Sequence, residues 1–247
     1  MKRKAIVIGA PGGVKNEYLE GVQYDFKNYI NFLKSPTGGA WDSSEIIPVM
    51  NPSSIKLKNY LKNLKVDYTL VIFSGHGAYQ IGDSTYIAVN RTDLISVNEL
   101  VTKSPKQLLI IDACRSFIDS GISGFLEEEA KKFPSKLSRI EGKRIFKYQL
   151  DKCENGLVVC FSSIIGQSSY SKNDGGLFSL SLLDTAKSWV LTPSRFGILP
   201  IQTAFTRAKN YTIQKTRGIQ VPELKASNIK KRTTWFPFAI RKPIQSV

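Results

Sequence analysis

The sequence predicts an α/β fold, a mostly parallel sheet with helices on both faces, from three observations. Short runs rich in Val and Ile and apolar on both faces recur along the chain, as in strands covered from both sides. Stretches with helical spacing separate these runs, the alternation of a doubly wound sheet. A composition of 42% hydrophobic and 22% charged residues over 247 residues supplies a full core and excludes disorder of the whole chain.

The elements follow in order. "KAIVIG" (4–9) is the first strand, and "YLEGVQYDFKNYINFLKS" (18–35) is a helix with Leu19, Val22, Phe26, Tyr29, Ile30 and Leu33 on one face. "EIIPVM" (45–50) is a strand, "PSSIKLKNYLKNL" (52–64) a helix whose serines can cap it, and "YTLVIF" (68–73) the third strand. Alternation around Gly82–Asp83 predicts a hairpin over 78–89. "QLLIID" (107–112) and "GLVVCFSS" (156–163) are strands four and five, and helices follow over 176–191 and 200–217. "TWFPFAI" (234–240) is read as a last strand, its proline suiting an edge. Residues 116–154 are charged, carry Pro134 and have only weak helical character near 123–133, so they are read as a long exposed insertion. With no repeat or composition break, 1–247 is read as one domain.

No apolar run has the length of a membrane span, and "MKRKAIVIGAPGG" reads as a first strand, so a cytoplasmic protein is expected. Cys114, Cys153 and Cys160 cannot all pair with one another, which fits a reducing compartment. With one histidine they do not make a structural zinc set, and no metal or other cofactor is expected. The net charge of +15 asks for an acidic partner or only for solubility. Basic residues crowd into 131–152 and 228–232, but no stacking platform or known module accompanies them, so nucleic acid is not the expected partner. "GAPGG" lacks the spacing of a phosphate-binding loop or dinucleotide fingerprint.

Chemistry in open α/β sheets collects at the carboxyl ends of strands. The third strand runs into "FSGHG" with His76, the only histidine, and the fourth into "DACRS" with Cys114. If these strands are neighbours joined by a right-handed crossover, imidazole and thiol emerge side by side, a nucleophile with its base. Gly77 leaves room for a substrate carbonyl, so its N–H and that of Cys114 are candidates for an oxyanion hole. There is no G-x-S-x-G elbow for a serine nucleophile. Cys160 lies within an apolar run and reads as core; Cys153 lies in the charged insertion.

These two motifs resemble the paired His and Cys motifs of caspase-like peptidases. Caspases carry Q-A-C-[RQG]-G; this chain has Asp112 in place of Gln and Ser116 in place of Gly, as metacaspases and bacterial caspase-like proteases do. The resemblance spans most of the chain, including "CFSSIIGQSSY" and "GIQVPEL". It implies a caspase-like sandwich with a six-stranded sheet, a large-subunit-like part (1–115), a linker (116–154) and a small-subunit-like part (155–247). It also implies a cysteine endopeptidase whose S1 pocket carries Asp25 and Asp112, with Ser171 at a third pocket position where caspases have an arginine and many bacterial relatives an acid. Two carboxylates favour Arg or Lys before the scissile bond. Alternatively, Asp25 faces solvent on its helix and Asp112 ties down the following loop. Arg115 either pairs with a carboxylate or faces solvent. The basic linker offers sites for self-cleavage. The relatives imply a prokaryotic defence or cell-death protease that awaits an activator protein; a silent interaction module is the alternative. Some metacaspases use calcium, but "IGDSTY" is not an EF-hand loop.

Overall fold

The computed structural model describes residues 1–12, 18–80, 84–116, 132–172, 174–193, 197–227 and 235–243. The chain begins with β1 (Arg3–Ala10), α1 (Gly21–Lys34), β2 (Ile46–Met50), α2 (Ser54–Asn63) and β3 (Tyr68–Gly75). A small antiparallel sheet follows, made of β4 (Gly77–Gln80), β5 (Ser84–Ala88) and β6 (Leu94–Ser96). Then come β7 (Lys106–Asp112), α3 (Arg139–Lys152), β8 (Gly156–Phe161), β9 (Ser171–Lys172), β10 (Gly175–Gly176) and α4 (Leu177–Leu191). β11 (Ile198–Pro200), α5 (Ile201–Thr216), β12 (Glu223–Ser227) and β13 (Pro237–Ile240) complete it.

The central sheet has the order β12-β8-β7-β3-β1-β2, parallel throughout except where β12 joins β8. This is the α/β caspase-like sandwich with a largely parallel six-stranded sheet. The inner strands are apolar on both sides because both sides are covered. Leu70, Ile72, Leu108 and Ile110 face a core shared with α1, α3, α4 and α5, while Val71, Phe73, Leu109 and Ile111 face Leu57 and Leu61 of α2 and the β5–β6 strands. α1 stops at Ser35, whose extended backbone is what the following Pro36 requires.

Two expectations change. The sixth strand is β12, within "VPELKAS", not 234–240; its residues are half-buried or exposed, so it carries no apolar run to announce it. Residues 237–240 instead pair with β11 in a separate two-stranded sheet and are wholly buried there. The stretch 116–154 is not exposed throughout: Ser138 and Glu141 form a capping box that opens α3, and Phe146 and Leu150 join the main core. The weak helical stretch near 123–133, like 228–232, lies largely outside the described residues.

Candidate active site

β3 and β7 pair in parallel, and the last registered pair is Ser74 with Asp112. His76 and Cys114 each stand two residues beyond that pair, at the same edge of the sheet. Their arms touch: a Cβ built on Gly77 would lie 2.6 Å from the Cys114 carbonyl oxygen and 2.7 Å from the Ala113 Cβ, so only glycine fits there. Gly77 opens β4, and the His76 carbonyl accepts the Ala88 N–H at 3.0 Å, which fixes the histidine arm to β5. The Cys114 thiol is half-exposed, and its sulfur accepts the Ser169 N–H at 3.2 Å.

Ser74 and Asp112 share the sheet face that packs against α1 and α4. There Asp25 of α1 and Asp112 are both buried, at 1% and 5% exposure. Asp25 accepts the Ser74 hydroxyl at 2.6 Å and the Gly176 N–H at 3.0 Å. Asp112 accepts the Ser169 hydroxyl at 2.7 Å and the Ser179 N–H at 3.0 Å. Gly176 caps α4 and Ser179 lies in its first turn, so both acids sit at the positive end of that helix. Gly175 and Gly176 press on Asp25 and Asp112 so closely that neither position could bear a Cβ without displacing a carboxylate. Burial, followed by the Asp112 charge, pushes the Asp25 carboxyl well above its ordinary range, against the Ser74 and Gly176 hydrogen bonds. Among the described residues no Lys or Arg pairs with either acid.

Ser171 pairs with Gly176 across β9 and β10, one strand away from the Asp25 carboxyl. Arg115 does not face solvent. Its guanidinium lies 4.1 Å above the Phe161 ring and donates to Thr85 of β5 (3.0 Å), the Ser163 carbonyl (3.0 Å) and Glu223 of β12 (2.6 Å). It therefore ties the cysteine arm to the histidine hairpin and to the far edge of the sheet. Cys160 is fully buried in the core, where burial raises its thiol. Cys153 is buried too, raised to about 11 by burial despite nearby Lys106. Neither is a ready thiolate.

Four residues escaped the sequence reading. Ser74 precedes His76 as Asp112 precedes Cys114, two positions up the strand on the same face, and that parity was the available signal. Ser169 holds both the thiol and Asp112. Gln220, fully buried, accepts the Tyr170 N–H at 2.9 Å and donates to the Ser162 carbonyl at 2.9 Å, so it fixes the loop that carries Ser169. Asp174 adds to the negative field at Asp25, and its buried Oδ1 has no hydrogen-bond partner among the described residues. Loops gave no periodic signal for these last three. No group of three or more His, Cys, Asp or Glu among the described residues could hold a metal ion, and no helix there is long and apolar enough to cross a membrane.

Caspase-1 from Spodoptera frugiperda is similar in structure, with a TM-score of 0.58 and 15% identity over 95% of this chain and 89% of that one. At that identity the likeness speaks for the fold alone. No curated protein matches the sequence significantly. The family model for the caspase domain, Peptidase_C14, matches residues 2–234. With that match over nearly its whole length, this chain belongs to the caspase-domain family of peptidases.

Proposed function

We propose that the chain is a cysteine endopeptidase that cuts proteins after Arg or Lys, with Cys114 as nucleophile and His76 as base. The observation that carries this reading is the β3–β7 register, which sets the two residues at matched positions beyond Ser74 and Asp112. His76 would take the thiol proton as sulfur attacks the scissile carbonyl carbon, and the N–H groups of Gly77 and Cys114 would hold the developing oxyanion. The protonated imidazole then gives its proton to the leaving amine, and water hydrolyses the thioester with His76 again as base. Asp25 and Asp112, with Ser171 at the rim, would take the basic side chain.

Both carboxylates are covered by Gly175–Gly176 in this structure, which supports a protein that must open before it binds. That agrees with a regulated protease, a zymogen switched on by an upstream activator protein in a cytoplasmic prokaryotic defence or cell-death system. Domain division at 115 and 155, with cutting between, belongs to the same proposal.

The test is turnover of fluorogenic peptides ending in Arg, Lys or Asp by the wild type, Cys114→Ala and His76→Ala. Cleavage after Arg or Lys should fall by about three orders of magnitude or more in both variants. Cleavage after Asp would keep the dyad and reject the acidic pocket. If full-length and linker-cut protein are both silent with every peptide, the reading as an interaction module gains.

A further inference from the structure

The other end of the sheet is built differently. Lys2 precedes β1, residues 65–67 precede β3 and Lys103 precedes β7, so the amino ends of three strands line one surface. There two adjoining hollows of about 700 and 690 Å³ share Lys2, Asn63 and Lys65 in their linings and lie side by side as a trough. It is lined by Lys2, Lys4, Lys62, Lys65, Lys103 and Lys147, which are separated by up to 145 positions in sequence and meet only in the fold. The last turns of α2 add the amides of Asn59 and Asn63 and the ring of Tyr60, 37% exposed.

The charge there is not neutralised from within. Glu45 and Asp67 are the carboxylates that line the trough. Glu45 is engaged by two guanidinium nitrogens of buried Arg3 at 3.0–3.1 Å, with Lys147 more distant at 3.7 Å. Asp67 accepts the Lys2 backbone N–H at 2.6 Å. Lys62, Lys65 and Lys103 are exposed and have no carboxylate partner among the described residues. A trough is a poor fit for one small anion and a good one for a chain of negative charges. Flexible ammonium groups suit phosphates because they demand no fixed geometry, unlike the paired oxygens that select arginine. Amide donors and an exposed ring beside such a track suit sugars and bases, and a concave track admits one flexible strand better than the convex side of a duplex.

We propose that this trough binds single-stranded nucleic acid along its phosphate chain, at the end of the sheet opposite His76 and Cys114. Sequence alone argued against such a partner because no stacking platform or known module accompanies the basic residues, and these six lysines come together only in the fold. The proposal does not depend on the peptidase reading.

Fluorescence anisotropy with labelled oligothymidylate and oligouridylate tests it, beside a duplex of equal length and a glutamate peptide of equal charge. Lys62→Glu with Lys65→Glu and Lys103→Glu should weaken single-strand binding at least about tenfold. Reversing Arg207, Lys215 and Arg217 on and after α5 changes the net charge equally and should weaken it far less. Replacing the three trough lysines by Gln should flatten the slope of log affinity against log salt by about 0.7 for each phosphate they no longer neutralise. Equal loss in both charge-reversed proteins, tighter binding of the duplex or the glutamate peptide, or no binding at low salt would each overturn the proposal. Thermal melting of every variant separates lost binding from lost folding.

Discussion

Two of the places where this protein buries ionisable groups handle them in opposite ways. At the amino end of β1, Arg3 is 2% exposed, stacks 4.1 Å from the Trp41 ring centroid and grips Glu45 with two hydrogen bonds. Burial pushes the Glu45 carboxyl up, but the Arg3 hydrogen bonds, the Asp42 N–H and the Arg3 and Lys143 charges outweigh it and hold it at about 2. At the carboxyl ends of β3 and β7, Asp25 and Asp112 are also deeply buried and, among the described residues, meet only hydroxyls and amides. At Arg3 the buried charge brings its counter-ion with it, because an unpaired one costs several kcal/mol. A pair of acids buried without one fits a site whose counter-ion arrives with the substrate, which is why this contrast favours the basic-pocket proposal.

The largest expected effect breaks the second region. Asp25→Asn and Asp112→Asn each keep the size and leave a hydrogen-bonding group against Ser74 or Ser169. Each should cut kcat/KM for Arg-ending peptides by about three orders of magnitude, about 4 kcal/mol of transition-state binding. Peptides ending in a neutral residue should lose far less. A loss below about tenfold for Arg peptides would mean that the acids serve only to hold the loops around them.

The first region gives the next effect, on stability and not on turnover. Glu45→Ala leaves the Arg3 guanidinium buried without its partner and should destabilise the fold by about 3–5 kcal/mol in urea unfolding. Glu45 sits below its unfolded value, so its contribution is present above about pH 4.5 and fades as pH falls toward about 2. The cost of Glu45→Ala should shrink over that range. A cost under about 1 kcal/mol would place this pair with ordinary exposed ion pairs.

The same contrast shows what the sequence could reveal. Inner strands β3 and β7 are covered on both faces, so their apolar runs announced them and their ends pointed to His76 and Cys114. β12 and α3 bury only part of themselves. β12 pairs on one side at the sheet edge, and α3 buries Gly142, Phe146 and Leu150 on a narrow stripe, so charged residues dominated both patterns. Asp25 and Asp112 were reached through family likeness, but their partners Ser169, Gly176 and Ser179 lie 57 to 151 residues away in sequence. Contacts of that kind depend on tertiary approach and leave no local pattern. Arg115 shows the limit from the other side: its position beside Cys114 was plain, while its attachment to Thr85 and Glu223 required three strands to come together.

The smallest effect concerns the resting protein with no substrate. Asp25 is raised by burial first and by Asp112 second, so the folded state keeps a proton that the unfolded chain has already released. Wild-type stability must therefore decline as pH rises from the ordinary carboxylate value through the raised one, and the full cost is present above it. Asp25→Asn cannot ionise and escapes that decline. It should differ least from the wild type near pH 4 and gain on it steadily as pH rises toward 8, read as paired urea unfolding curves at each pH. Asp112→Asn removes the second cause and should narrow the window without closing it, because burial remains. Parallel curves for wild type and Asp25→Asn across the whole range would show that Asp25 is ionised at little cost, and the contrast with Arg3 and Glu45 would then rest on geometry alone. A stability gain at pH 8 joined to the loss of Arg cleavage would instead identify Asp25 as a group kept at the expense of the fold for the sake of the cation it receives.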